Sequence, residues 1–168
     1  MPYWQLFYHV VWSTRDREPL LTPAVEAVVY DVIRAKVRGL GATLFALNGT
    51  EDHVHLVAAI PPALAVARFV GQVKGVAATR CNQASLPVSL HWQNEYGVFT
   101  LDGKRLPPVV AYVERQKAHH AQATVIPVLE RTAEGGVRLG LLVREAAGAY
   151  AADGDGAWWE DGEGWQEV

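Results

Sequence analysis

Along the first 125 residues the apolar positions switch between a period of two and a period of about 3.6, and the switches mark the elements. Residues 3–12 alternate, with Trp4, Leu6, Tyr8, Val10 and Trp12 on one face, and predict a first strand that Arg15-Asp16-Arg17-Glu18-Pro19 ends. Thr22-Pro23 supplies an N-cap and a first-turn proline. Val25, Val28, Val29, Val32, Ile33 and Val37 then follow at helical spacing as far as Gly39. Residues 42–47 predict a second strand, which Asn48-Gly49-Thr50-Glu51-Asp52 turns into a third over 53–60. That antiparallel pair places the third strand centrally. Pro61-Pro62 opens a second helix to Cys81 or Asn82, with Val66, Phe69, Val70, Val73 and Ala77 on one stripe and Gln72, Lys74 and Arg80 off it. Residues 88–101 read as short extended pieces around a turn. Pro107-Pro108 starts a third helix through Val109, Val113 and Gln116 to about Ala123. The order strand, helix, strand, strand, helix, strand, helix fits an α+β fold with helices packed on an antiparallel sheet.

A chain of 168 residues, half of them hydrophobic, suffices for one core with an appendage. The expected division is a domain over 1–125 and an acidic extension over 126–168, flexible from about 146, with a short strand or helix at 137–144. Cys81 stands alone, which excludes a disulfide scaffold or a cysteine-rich zinc site and suits a reducing cytoplasm. The N-terminus lacks a signal-type apolar core and no apolar stretch is long enough to span a bilayer, so a soluble, intracellular protein is expected. The net charge of -3 hides an asymmetry: residues 1–144 hold 15 basic against 11 acidic side chains, for +4, while the last 24 residues carry -7. A mildly basic body is compatible with a polyanionic partner.

The chemistry concentrates on His53-Val54-His55. Alternate strand residues share a face at roughly 7 Å spacing, so these imidazoles project side by side, a pairing suited to one divalent metal. Glu51 and Asp52 either orient those ligands or close the turn. On the third helix Tyr112 and Gln116 are four residues apart, and His119 and His120 continue their face one turn later. A tyrosine hydroxyl beside a metal can serve as nucleophile toward a phosphodiester, and a glutamine carbonyl can complete the metal shell. Two histidines with an oxygen donor suit magnesium or manganese. Taken singly, each residue has a quieter reading: satisfied strand histidines, a half-buried tyrosine, a surface glutamine. His9 and Trp12 read as structural, and Trp92, Tyr96 and Phe99 as mostly core. Lys74, Arg80, Lys104, Arg105, Arg115 and Lys117 are the cations available to a phosphate backbone.

Other phosphate chemistries fit less well. A histidine-triad nucleotide hydrolase needs a third histidine at the position held by Val57, a two-histidine phosphoesterase needs two His-x-Thr or His-x-Ser motifs, and a zinc hydrolase needs a third ligand at recognisable spacing.

Taken together and in order, His53-Val54-His55 and Tyr112-Val113-Glu114-Arg115-Gln116 resemble the HUH-type single-tyrosine transposases. These comprise the small transposases of single-strand insertion sequences and the REP-associated tyrosine transposases. Tyr8-His9-Val10-Val11-Trp12, Val73-Lys74-Gly75, Trp92-Gln93, Tyr96-Gly97-Val98-Phe99 and His119-His120 agree in kind and order, so the resemblance spans residues 3–123. It implies a ferredoxin-like or RRM-like sheet of the HUH endonuclease type and a strand transferase acting on single-stranded DNA with hairpins. By that resemblance Tyr112 forms a 5'-phosphotyrosine, His53, His55 and Gln116 hold Mg2+ or Mn2+, and the protein is a homodimer associated with the nucleoid when bound to DNA. His119 and His120 remain secondary site candidates. The loop Leu101-Asp102-Gly103-Lys104-Arg105 lacks the serine-rich character of relatives, and the acidic ending with Trp158, Trp159 and Trp165 has no transferable role. The alternative is a domesticated or inactive relative that binds nucleic-acid hairpins without cleaving them.

Overall fold

Four antiparallel strands in the order β2-β3-β1-β4 form the frame: β1 Phe7–Ser13, β2 Thr43–Gly49, β3 His53–Ala59 and β4 Gly97–Leu101. The structure is a computed structural model that describes residues 3–132. By their internal contacts these form one compact unit, which takes in residues 126–132 together with the sheet. The expectations for 137–144 and for the acidic, tryptophan-bearing ending lie outside the described residues.

The histidine strand is central, as its hairpin with β2 predicts: β3 pairs with β2 on one side and β1 on the other, and all seven of its residues are buried. Its pleat sends Val54, Leu56 and Ala58 to one face. There, with Val10 and Trp12 of β1, they pack against α1 (Pro23–Gly39) and α2 (Val66–Gln83) through Val25, Val29, Ile33, Phe69, Val70, Val73 and Ala77. The opposite face carries His53, His55 and Val57 with His9 of β1. It is covered by α3 (Leu106–Glu114), α4 (Gln116–Ala121) and a 3-10 turn at Pro127–Glu130.

Several boundaries differ from the sequence pattern for local reasons. β1 starts at Phe7, where its pairing with Ala59 and Leu101 starts, and Tyr3 and Trp4 lie exposed beyond it. The second helix starts at Val66 instead of Pro61: a following proline disfavours helical backbone at Pro61, and 61–64 close a turn, Leu64 N–H donating to the Pro61 carbonyl at 3.0 Å. Thr22 occupies the cap position of α1, but its carbonyl, not its side chain, receives the Glu26 N–H at 2.7 Å. The single third helix is two: Arg115, at φ -102° and ψ 17°, breaks it into α3 and α4, which ends at Ala121.

Gly49 closes the β2–β3 turn where a Cβ would stand 2.0 Å from the His53 carbonyl oxygen, so no side chain fits there. Gly97 plays the same part at the start of β4, where a Cβ would lie 1.9 Å from the Arg131 carbonyl oxygen. That close approach lets the chain beyond α4 return across the end of the sheet. Among the described residues, no helix is long and apolar enough to cross a membrane.

Candidate functional site

Each histidine of the pair is oriented by a partner on its Nδ1 atom. His53 Nδ1 meets Asp52 Oδ1 at 2.6 Å and Thr50 Oγ1 at 2.8 Å. Asp52 therefore does both things its position allows, since its carbonyl also receives the Thr14 N–H at 2.8 Å while its carboxylate holds the imidazole. Glu51 acts only through its backbone, its carbonyl accepting from Leu21 N–H at 2.9 Å. His55 Nδ1 meets His9 Nε2 at 2.8 Å, and the two rings lie nearly parallel with centroids 5.0 Å apart. His9 is thus more than core filling: it fixes the orientation of His55. With both Nδ1 atoms engaged, both Nε2 atoms face the same space, and the two rings approach to 5.0 Å between centroids.

Helices α3 and α4 bring the rest. Asn48 of β2 donates to the Glu114 carbonyl at 2.8 Å and anchors the end of α3 over the sheet. The break at Arg115 leaves Tyr112 and Gln116 buried above the imidazoles. Glu130, delivered by the 3-10 turn, joins them. Its Oε1 accepts from the Tyr112 hydroxyl and from Gln116 Nε2 at 3.3 Å, while its Oε2 lies 3.1 Å from His55 Nε2, 3.3 Å from His53 Nε2 and 3.5 Å from His120 Nε2. The Tyr112 oxygen also accepts the Ile126 N–H at 3.0 Å. His119 turns aside to Thr124 Oγ1 at 2.9 Å and covers the tyrosine ring, with centroids 4.7 Å apart.

The electrostatics follow from these contacts. Burial, reinforced by the facing His55, lowers His9 to about 3 and keeps it neutral. Burial also pushes His53 down, but its hydrogen bond to Asp52 and the Glu130 carboxylate beside it outweigh that and raise it to about 9. Burial lowers His55 despite Glu130. Burial would raise Glu130, yet the imidazoles of His53 and His55 beside it hold it well below the usual carboxylate range. Burial and the Glu130 carboxylate raise Tyr112, keeping the phenol protonated.

Three buried polar atoms at this site have no hydrogen-bond partner: His9 Nδ1, behind His55, and His53 Nε2 and Gln116 Oε1, in side chains that are 1% and 0% exposed. An imidazole nitrogen and an amide oxygen left unsatisfied beside His55 are the mixed donor types that a magnesium or manganese ion takes once His53 gives up its proton, and the residues fit such an ion. His53, His120 and Glu130 also bring one ligand atom each to within 4.8 Å of one another.

The proposed DNA-contacting cations fare unequally. Lys74 is not a helix-edge cation but buried, its ammonium donating to the carbonyls of Gln93, Asn94 and Glu95 at 2.6, 3.1 and 3.1 Å. Lys117 pairs with Glu26 at 2.8 Å. Arg80, Lys104, Arg105 and Arg115 are exposed. The Asp102 side chain receives the N–H groups of Lys104 and Arg105, which shapes the loop into α3. Of the residues expected at the site, the fold gathers His53, His55, Tyr112, Gln116 and His120. Glu130 and the buttressing His9 were missed. A lone glutamate after the periodic pattern has loosened carries no motif, and only the apolar Ile126-Pro127-Val128-Leu129 beside it hints that this stretch packs on the domain.

Residues 2–116 match the family model described as Transposase IS200 like. The ISDra2 transposase TnpA of Deinococcus radiodurans is 28% identical over 119 residues, covering 67% of this chain and 85% of its own length. A solved structure described as a candidate transposase from Deinococcus radiodurans R1 superposes with a TM-score of 0.55 at 28% identity, covering 69% of this chain and 95% of that one. A REP-associated tyrosine transposase bound to a REP hairpin shares the fold, with a TM-score of 0.55 at 16% identity over 71% of this chain and 74% of its own.

Proposed function

The chain belongs to the family of IS200-like transposases, and from that premise we propose that it is a metal-dependent strand transferase cutting single-stranded DNA at hairpin-flanked sites. The observation that carries this reading is the meeting, within one chain, of the Tyr112 phenol with the Nε2 atoms of His53 and His55 around a single carboxylate. Tyr112 is the nucleophile. Its oxygen attacks phosphorus as the bond to the 3' oxygen breaks, giving a 5'-phosphotyrosine and a 3'-hydroxyl, and the proton lost by the phenol balances the one the leaving alkoxide gains. The phosphotyrosine conserves the energy of the phosphodiester, so a second 3'-hydroxyl can reverse the step at a new junction. His53, His55 and Gln116 would hold Mg2+ or Mn2+, which supplies charge stabilisation at the phosphate and at the departing oxygen. His9, Asp52 and Thr50 keep the imidazoles turned to that task.

The hairpin-bound relative supports a folded single strand as the substrate. A homodimer would bring two such sites to the two ends of a mobile segment. Arg80, Lys104, Arg105, Arg115 and Lys117, all exposed, are the candidate side chains to meet its phosphates.

Incubation with a labelled single-stranded hairpin and Mn2+ tests the reading. A covalent protein-DNA adduct is expected on a denaturing gel, and Tyr112→Phe should remove it while hairpin binding stays within about twofold. Binding without an adduct from the unaltered protein would identify a hairpin-binding relative that does not cut.

A further inference from the structure

The ligand set assigned above stops at Gln116, the last residue covered by the family model, yet the group nearest both Nε2 atoms lies further on. We propose that Glu130 is itself a ligand of the divalent ion, tying the nucleophile Tyr112 to the metal shell through its second oxygen. This deepens the functional reading and rests on it.

Three observations lead there. First, ligands stand about 2.0–2.2 Å from a magnesium or first-row ion, so neighbours in one shell are roughly 3 Å apart. Glu130 Oε2 lies 3.1, 3.3 and 3.5 Å from the Nε2 atoms of His55, His53 and His120, and ligand atoms of His53, His120 and Glu130 all fall within 4.8 Å of one another. Second, the His53 contact is not a hydrogen bond: its Nε2 atom, 3.3 Å from the carboxylate, is buried without a hydrogen-bond partner. Third, Gln116 shares the same carboxylate through its Nε2 atom while its Oε1 is buried with no partner. A cation at the convergence satisfies all of these at once.

The delivery of Glu130 is also built. Leu129, beside it, packs into the apolar cluster of Val57, Leu101, Tyr112 and Val113. Ile126 N–H holds the Tyr112 oxygen, and Gly97 admits the Arg131 carbonyl against β4. With Oε2 toward the ion and Oε1 on the phenol, the carboxylate orients the nucleophile and sets its distance from the metal site. An anionic ligand beside two imidazoles and an amide also strengthens the preference for a hard divalent cation.

Calorimetric titration of Mn2+ into the metal-free full-length chain provides the test, with thermal melting to monitor the fold. The unaltered protein should bind one Mn2+, His53→Ala should abolish binding, and Glu130→Gln should weaken it at least tenfold with the stoichiometry retained. Should the glutamine variant melt early, Glu130→Asp, which keeps the charge one methylene short of the site, is expected to lose affinity as well. Unchanged or tighter Mn2+ binding by Glu130→Gln would overturn the proposal and leave the carboxylate as a counter-ion that the metal displaces, the functional reading standing. Absence of Mn2+ binding by the folded, unaltered protein would instead remove the metal from that reading and this proposal with it.

Discussion

The sheet face under α1 and α2 and the face under α3 and α4 are built from alternate residues of the same strands, and packing treats them differently. On the first, Trp12, Leu56, Ile33 and Phe69 belong to one large apolar cluster. On the second, a small cluster around Val57, Tyr112 and Val113 shares its space with His9, His53, His55 and Gln116, all fully buried. Leaving polar atoms without partners in a dry interior costs on the order of 1–3 kcal/mol apiece. A sheet can tolerate that on one side when the other side supplies most of the stability. Stability and chemistry are thus separated by one pleat.

The largest effect that could break this comparison lies on the apolar side. Phe69→Ala should cost about 3–5 kcal/mol in urea unfolding, because its fully buried ring leaves a cavity between α2 and the sheet. A cost below about 1 kcal/mol would show that this face does not carry the fold. At Lys74 the expected cost is about 1–3 kcal/mol for Lys74→Met, since three carbonyls lose their donor. The salt dependence of hairpin binding should not change. A slope reduced by about one would return Lys74 to the DNA interface. The smallest change in stability is expected on the polar side: His9→Leu should lower it by about 1 kcal/mol. The same substitution should weaken Mn2+ binding about 10–100-fold as His55 loses its Nδ1 partner. Equal Mn2+ affinity would reduce His9 to packing.

The sequence pattern made the apolar side easy to read. Period-two strands and the stripes of α1 and α2 placed Val25, Ile33, Phe69 and Val73 correctly, because burial on one face is a periodic property. The central place of β3 followed from its turn with β2. The site was half legible. The His53 and His55 pair and the Tyr112, Gln116 and His120 set show themselves through short spacings in the sequence, which survive even the break between α3 and α4. Glu130 and His9 meet them only through the fold, 75 and 46 residues away from His55 in sequence, and no local period encodes such contacts. Lys74 misled because a lysine beside an apolar stripe looks like a helix edge until the 93–95 backbone closes over it. The break at Arg115 had no proline or glycine to announce it.

One small feature couples the two faces. The turn between β2 and β3 is so tight that Gly49 has no room for a side chain beneath the His53 carbonyl, and that turn sets how the two strands align. Shifted by a single position, β3 would carry its imidazoles beneath α1 and α2 and offer Val54 and Leu56 to the tyrosine. Such a molecule could keep its strands and helices and still be chemically mute. The side on which the reagents lie is therefore decided by the register of this one hairpin.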